Sequence, residues 1–178
     1  MKRTVYETQA KKTLEYFEKA HIVLTDEEKA SIEVSDFGLN DVENIGLQLV
    51  VYVNTDKVCA KEMVLFPGQT CPEHRHIPSY GMPGKEETFR CRYGEAYLYV
   101  EGDGKKEDIK AKIQDTTLTV FHEVILKAGE QYTILPGTQH WFQGGPDGAI
   151  VSEFSTHSTD ETDIFIDERI SRIPVVED

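Results

Sequence analysis

The amino-terminal part of the chain has the hydrophobic spacing of helices. Apolar Leu14, Tyr16 and Phe17 stand among lysines and glutamates, which predicts an amphipathic helix over residues 6–20. A second, shorter helix is predicted to begin at Thr25, because its hydroxyl can cap the first turn. Three acidic residues follow Thr25, where the helix dipole favours negative charge. We therefore expect a helical segment before the main body of the fold.

After Gly46 the pattern changes to short runs rich in β-branched and aromatic residues. Glycine, proline, aspartate and asparagine separate these runs, as is typical of an antiparallel sandwich or barrel. The predicted strands cover residues 46–54, 58–66, 88–93, 95–100, 116–120, 122–127, 131–135, 140–144 and 149–155. The sequence thus predicts an all-β protein with a helical amino-terminal segment.

The length of 178 residues fits a single domain that can bury a sizeable core without disulfides. We expect a helical segment at 1–45, a barrel core at about 46–156 and a tail at 157–178. The tail is acidic and then apolar around residues 159–166, which predicts that it docks back on the barrel. The charged stretch at 101–108 is predicted to be a solvated loop.

The formal net charge of −13 disfavours nucleic acid and anionic membranes as partners, because both require an excess of lysine and arginine. It also favours a neutral over an anionic ligand. Three cysteines, an odd number without zinc-ribbon spacing, indicate a reducing compartment, and residues 1–5 show no secretory pattern. We expect a cytoplasmic location.

Four residues suggest a metal site. His74 and His76 are two apart, so a strand through residues 73–76 directs both imidazoles to the same face. Glu87 and His140 complete a set of three nitrogens and one oxygen that borderline divalent cations accept. Any one of these histidines alone is more often an ordinary surface or core side chain, but the four together favour metal binding.

The spacing of these residues resembles the first motif of the cupin family, and the resemblance implies a cupin-type antiparallel sandwich or jelly-roll barrel. The matching residues are Gly68, His74, His76, Glu87 and Gly94. The ten residues between His76 and Glu87 form a longer gap than usual, so Glu86 stays an alternative ligand. We prefer Glu87, because it keeps the spacing to Gly94. Of the second cupin motif, only Gly137-x-x-His140 is held.

A closer resemblance, from about Gly68 to Arg172, is to the D-lyxose isomerase group of cupins. The segments that carry it are 73–76, 84–94, 153–156, 162–165 and Arg169. The resemblance implies a manganese-type ion and reversible conversion of D-lyxose to D-xylulose and of D-mannose to D-fructose. It also implies that His74, His76, Glu87 and His140 bind the metal and that Lys85 and Glu153 are candidates for proton transfer.

The chemistry supports a carboxylate base, because moving a carbonyl from C1 to C2 requires a group that removes the C2 proton and returns it to C1. Glu153 lies in an otherwise apolar or small-residue strand, yet alternation alone leaves open whether it faces the barrel or solvent. Lys85 lies in a loop rich in glycine and proline, where lysines are usually solvated. Tyr80, Trp141 and Phe142 are candidates to pack on a sugar ring, with core packing as the alternative.

The ligand set alone does not choose among functions. Iron, cobalt and zinc are alternatives to manganese, and a non-haem iron dioxygenase or a sugar-phosphate isomerase is an alternative enzyme. A phosphate substrate would need a basic cluster, for which Arg75, Arg90 and Arg92 are the nearby candidates. A sugar-binding cupin without a competent base is the non-catalytic alternative. Exposed sheet edges lead us to expect a homodimer.

Overall fold

A computed structural model describes residues 1–173 and 175–177. Helix α1 spans Arg3–Lys19, where the amphipathic helix is predicted, and helix α2 spans Asp26–Ala30. Thr25 caps α2 with a capping box, in which its hydroxyl accepts from the Glu28 amide and the Glu28 carboxylate accepts from the Thr25 amide. None of the described helices is long and apolar enough to cross a membrane.

Nine strands in the described residues form one strongly curled, antiparallel sheet. They are β1 Glu33–Ser35, β2 Leu47–Asn54, β3 Cys59–Leu65, β4 Thr70–Arg75, β5 Glu87–Val100, β6 His122–Lys127, β7 Gln131–Ile134, β8 His140–Ser155 and β9 Ile164–Phe165. The antiparallel β class predicted from the pattern is therefore confirmed. Short 3-10 turns at Lys106–Asp108 and Asp160–Thr162 complete the regular structure.

Three strand predictions differ from the structure. The predicted pairs 88–93 with 95–100 and 140–144 with 149–155 each form one long strand, β5 and β8, with breaks in register near their middles. Residues 116–120 form no strand. The amides of Thr119 and Val120 instead donate to the buried carboxylate of Glu73, so these two donors are not available to a sheet ladder.

The long strands β5 and β8 connect the two layers of the curled sheet. Residues 149–155 of β8 lie between β3 and β5, whereas residues 140–143 lie between β4 and β5. The order β1-β2-β3-β8-β4-β9 runs along one path, and β5 also pairs with β6 and β7. Strand β8 thereby contributes residues to both ends of the interior.

Strand alternation divides the apolar residues between an inner core and an outer layer. The inner core includes Leu49, Met63, Phe89 and Val151, whose neighbours along each strand face the other way. The outer layer lies under helix α1, where Phe17 of the helix packs with Val50, Val64 and Ile150 of the sheet. The helical segment thus closes one side of the sheet.

After β8, residues 156–173 return to the sheet, and we call them the returning segment. Strand β9 pairs with β4, with His74 opposite Phe165. The Asp167 carboxylate accepts hydrogen bonds from Arg169 and from the Thr117 amide, which fastens this segment to the loop before β6. Pro174 and Asp178, which belong to the predicted tail, lie outside the described residues. The returning segment therefore forms a wall of the interior beside β4.

Gly94, at a break in register of β5, offers a test of this packing. Its φ is +65°, and a Cβ there would collide with the carbonyl oxygen of Gly148 on β8. Gly68 has a similar φ of +71°, but a Cβ added there would meet nothing within 4 Å, so it is a matched control. We expect Gly68→Ala to cost roughly 1–2 kcal/mol of unfolding free energy, because an L-residue is strained in this conformation.

Gly94→Ala should cost clearly more than Gly68→Ala, because it adds a backbone collision to the same strain. Urea unfolding followed by circular dichroism measures both values. Equal losses in the two variants would show that β5 and β8 do not approach as closely as described.

Candidate metal centre and active site

Three histidines converge at one end of the interior. His74 lies on β4 directly opposite His140 on β8, and His76 follows the end of β4. The ring centroid of His74 is 5.0 Å from that of His76 and 4.3 Å from that of His140. One ligand nitrogen from each lies within 4.8 Å of the others, and all three side chains are buried. These histidines form a group that can hold a metal ion.

The second ring nitrogen of each histidine is already occupied. Nδ1 of His74 lies 2.8 Å from the Pro72 carbonyl, and Nδ1 of His140 lies 2.9 Å from the Thr138 carbonyl. Nδ1 of His76 lies 2.5 Å from Oδ1 of Asp163. Since carbonyl oxygens only accept, the first two rings donate from Nδ1, which directs Nε2 of each ring to the interior. Metal-binding histidines are held in this way.

Glu87 supplies an oxygen at the same point. Its Oε1 is 3.1 Å from Nε2 of His76 and 3.0 Å from Nε2 of His140, and its side chain is 1% exposed. Nε2 of His140 is buried and makes no hydrogen bond of good geometry to any described residue. Glu86, immediately before β5, is exposed. The donor set of three nitrogens and one oxygen fits a divalent cation.

Electrostatics favour the ligand states of His74 and Glu87, whereas His76 must lose a proton before it can bind a metal. Burial, together with neighbouring His140 and His76, lowers the pKa of His74 well below its usual range, so this ring is neutral. Burial acts to raise the pKa of Glu87, but Lys85 and His76 outweigh it and hold this pKa well below its usual range. Burial and Lys85 act to lower the pKa of His76, whereas Glu87 and Asp163 raise it to about 9.

Lys85 lies inside the protein, unlike the usual solvated lysine of a loop. Its Nζ is 2.9 Å from Oε2 of Glu87, 3.0 Å from Oε1 of Glu153 and 3.3 Å from Oδ1 of Asp160. Burial acts to lower the pKa of Lys85, but these carboxylates raise it well above its usual range. Gly84 allows this placement, since a Cβ there would collide with the His76 carbonyl. Lys85 therefore connects Glu87 to Glu153.

Glu153 faces the interior and is 2% exposed. It shares its side of β8 with Val151 of the inner core, whereas Ile150 packs in the outer layer and Phe154 is exposed. Its Oε1 also accepts a hydrogen bond of 2.9 Å from the Ser155 hydroxyl. The orientation that alternation left open is therefore inward.

The three aromatic residues predicted to contact a sugar lie at different places in the structure. Phe142 lines the cavity together with Phe89, whereas Trp141 stacks on Tyr99 at the other face of β8 and donates to the Val120 carbonyl. Tyr80 is 73% exposed and does not line the cavity. Consecutive strand residues face opposite sides, so Trp141 and Phe142 cannot both reach a sugar in this cavity. The structure therefore places Phe142 at the cavity, but neither Trp141 nor Tyr80 lines it.

Four further charged residues line the cavity. They are Lys61, Asp160, Asp163 and Arg172. Sequence reasoning missed Lys61, although its place in β3 two residues before buried Met63 signals a charge on the inner face. The other three come from the returning segment, and no periodic pattern links them to the histidines. The cavity has a volume of about 30 Å³, which is room for about two water-sized groups.

Comparison with known sequences identifies related proteins. The sequence model of a family described as D-lyxose isomerase matches residues 6–178. The D-lyxose/D-mannose isomerase of Thermosediminibacter oceani is 64% identical over 170 residues, which cover 94% of this chain and 93% of that protein. The D-lyxose ketol-isomerase of Cohnella laeviribosi is 54% identical over 180 residues, which cover 99% and 98% of the two chains.

Solved structures show the same fold at much lower identity. The L-ribose isomerase of Cellulomonas parahominis, solved with L-ribose, aligns with a TM-score of 0.76 at 15% identity over 99% of this chain and 98% of that one. The L-ribose isomerase of Acinetobacter sp. DL28 aligns with a TM-score of 0.74 at 14% identity over 96% and 94%. These likenesses support the cupin-like sandwich architecture.

Replacing a ligand or its hydrogen-bond partner tests the metal centre. We expect His76→Ala to abolish tight binding of Mn²⁺, because the remaining donors compete poorly with water for a hard divalent ion. Asp163→Ala should weaken binding by roughly 10- to 100-fold, because His76 loses the partner that orients it. His122→Ala, at the partly exposed start of β6, is the control. Isothermal titration with Mn²⁺ gives the affinities, and unchanged binding by His76→Ala would contradict the assignment.

Proposed function

The chain belongs to the D-lyxose isomerase family, and from that premise we propose that it is a metal-dependent aldose–ketose isomerase. It interconverts D-lyxose with D-xylulose, and D-mannose with D-fructose, through a cis-enediolate. The observation that carries the proposal is the position of Lys85, whose ammonium lies 2.9 Å from Glu87 and 3.0 Å from Glu153. A metal-binding carboxylate and a free carboxylate are thereby held side by side in one cavity. This arrangement suits proton transfer next to a bound sugar.

His74, His76, Glu87 and His140 would hold the ion, which we propose is Mn²⁺, with Fe²⁺, Co²⁺ and Zn²⁺ as the alternatives. The set of nitrogen and carboxylate donors is compatible with each of these. When bound, a divalent ion supplies Lewis-acid stabilisation of negative charge on the sugar oxygens. The Nδ1 partners of the three histidines keep the rings in place for this task.

Glu153 is the proposed base. Its carboxylate removes the proton from C2 and returns it to C1, so that the carbonyl moves by one carbon while no atom is lost. Lys85 hydrogen-bonds the sugar oxygens; it donates a proton to O1 as charge develops there and recovers one from the C2 hydroxyl as that carbon becomes the carbonyl, so no net proton is gained or lost.

A neutral sugar is favoured over a sugar phosphate. Lys61, Lys85 and Arg172 line the cavity, and each already contacts a carboxylate. The arginines considered as phosphate ligands are exposed and lie outside the cavity lining; they are Arg75, Arg90 and Arg92. A phosphate dianion would have to displace buried ion pairs, which costs several kcal/mol per uncompensated charge.

Assembly and location complete the proposal. We propose a homodimer, which is supported by a shallow groove on the outer sheet face lined by exposed Val53, Val58 and Phe154. Cys59, Cys71 and Cys91 are buried and free, which supports a reducing, cytoplasmic location. No role in binding nucleic acid or membranes is proposed, given the net charge of −13.

The reaction is tested by reloading the metal-free protein with Mn²⁺ and offering a panel of free aldopentoses and aldohexoses. We expect D-lyxose to react best and D-mannose second. In deuterated water, the product should carry deuterium at the carbon that received the proton, because the base exchanges with solvent during the lifetime of the enediolate. Nuclear magnetic resonance of the products measures both. Consumption of dioxygen, or reaction with sugar phosphates alone, would refute the proposal.

Glu153→Gln tests the base. The substitution keeps the size of the side chain but removes the ability to accept a proton, so kcat should fall by roughly two to four powers of ten. Metal affinity should persist, and the acidic limb of the pH–rate profile should disappear. Glu168→Gln, on the surface, is the control. A Gln variant that keeps most of its kcat would instead indicate a sugar-binding protein or a different base.

A further inference from the structure

Lys61 is a buried charge that the proposed reaction does not use. It lies on β3, directly opposite Glu153 of β8, and its side chain is 3% exposed. Its Nζ donates to Ser158 Oγ at 2.8 Å and to Asp160 Oδ2 at 2.6 Å, and lies 3.5 Å from Glu153 Oε1. A buried ammonium is costly unless it is paired, so this lysine is held in place by two carboxylates.

Position distinguishes Lys61 from Lys85. Lys85 contacts the proposed metal ligand Glu87, whereas Lys61 forms ion pairs with Glu153 and Asp160. Lys61 therefore reaches Glu153 through its own ion pair and not through Glu87. Oε1 of Glu153 thus lies among Lys85, Lys61 and the Ser155 hydroxyl. Strand register places Lys61 directly opposite Glu153.

We propose that Lys61 is a positioning residue for Glu153, whose side chain it holds in the orientation needed for proton transfer; the proposal rests on the proposed function. Lys61 acts through Glu153 and does not touch the reacting atoms. During the reaction, the fixed ammonium prevents the carboxylate from turning toward Lys85 alone. Misplacement of a base by about 1 Å can cost roughly 100-fold in rate.

The same ammonium fastens the returning segment. Ser158 and Asp160 begin this segment, and Asp163 three residues later contacts His76. If Lys61 had only a structural role, it would affect the site through Asp160 and the returning segment. The charged or titratable groups that face Lys61 are Glu153, Lys85, Asp160, Glu161, Arg172, Glu33 and Cys59. The experiment must therefore separate the effect on Glu153 from the effect on Asp160.

Lys61→Met removes the charge while keeping a similar length. We expect kcat to fall roughly 10- to 100-fold with little change in KM, because orientation is lost and substrate binding is not. The acidic limb of the pH–rate profile should move up by about one pH unit, since an ammonium within 4 Å favours the carboxylate form. Mn²⁺ affinity should be unchanged. Lys127→Met, exposed on β6, is the matched control.

Two further variants make the outcome decisive. Lys61→Arg keeps the charge and should leave the acidic limb at the wild-type pH, with part of kcat recovered. Asp160→Asn should weaken the attachment of the returning segment, seen as a lower thermal midpoint, without moving the acidic limb upward. If Lys61→Met yields too little folded protein, Lys61→Gln, which retains a donor for Ser158, takes its place.

The proposal is overturned if the acidic limb stays at its wild-type pH in Lys61→Met, or if Asp160→Asn reproduces the whole effect. A measurement that needs no turnover distinguishes failure of the positioning role from failure of the proposed function. In protein carrying ¹³C at the glutamate carboxyl groups, the resonance absent from Glu153→Gln identifies Glu153. Its titration midpoint should be higher in Lys61→Met than in the wild type even if no sugar is isomerised. An unchanged midpoint would refute the positioning role.

Discussion

The interior depends on one constraint, which is that every charge buried on the inner sheet face must be neutralised by another. Lys85 contacts Glu87 and Glu153, Lys61 contacts Glu153 and Asp160, and Arg172 contacts Asp160 and Glu33. Removing one partner from such a series leaves an uncompensated buried charge, which typically costs about 3–5 kcal/mol. These ion pairs follow one another without a break from Glu87 to Glu33. They therefore couple the conformation of the cavity wall to the chemistry inside.

This constraint explains why the chain returns to the sheet after β8. Without Asp160, both cavity lysines would share the single free carboxylate of Glu153. The returning segment supplies that second carboxylate, and three residues later it supplies Asp163 to His76. Strand β9 and the Asp167–Arg169 contact then hold the segment against β4 and the neighbouring loop. A part of the chain with little regular structure is thus integral to the site.

The cavity separates two chemical tasks that aldose–ketose conversion requires. In the proposed function, three imidazoles and Glu87 form the metal-binding end, where charge on sugar oxygens would be stabilised. Glu153 lies at the other end, where a proton can be accepted and returned. Lys85 lies between the two, within 3.0 Å of Glu153 and 2.9 Å of Glu87. Keeping the base off the metal leaves its carboxylate free for protons, which a metal-bound carboxylate is not.

The sequence alone determined the features that depend on local spacing. The spacing of His74 and His76 indicated a shared face, Thr25 indicated a helix start, and the short β-branched runs indicated an antiparallel sheet. These inferences succeed because alternation and capping are properties of a few consecutive residues. Glu87 was preferred over Glu86 on motif spacing, and the structure buries Glu87 beside the histidines.

Only the tertiary structure decided which residues distant in sequence share the interior. It turned Trp141 and Tyr80 away from the cavity, turned Glu153 inward, and brought Lys61 and Asp160 to it. The physical reason is that an apolar strand pattern looks the same whether its second face meets a helix or the interior. Charge pairing between distant strands leaves no periodic trace in the sequence, because it depends on sheet register and on the path of the chain after β8.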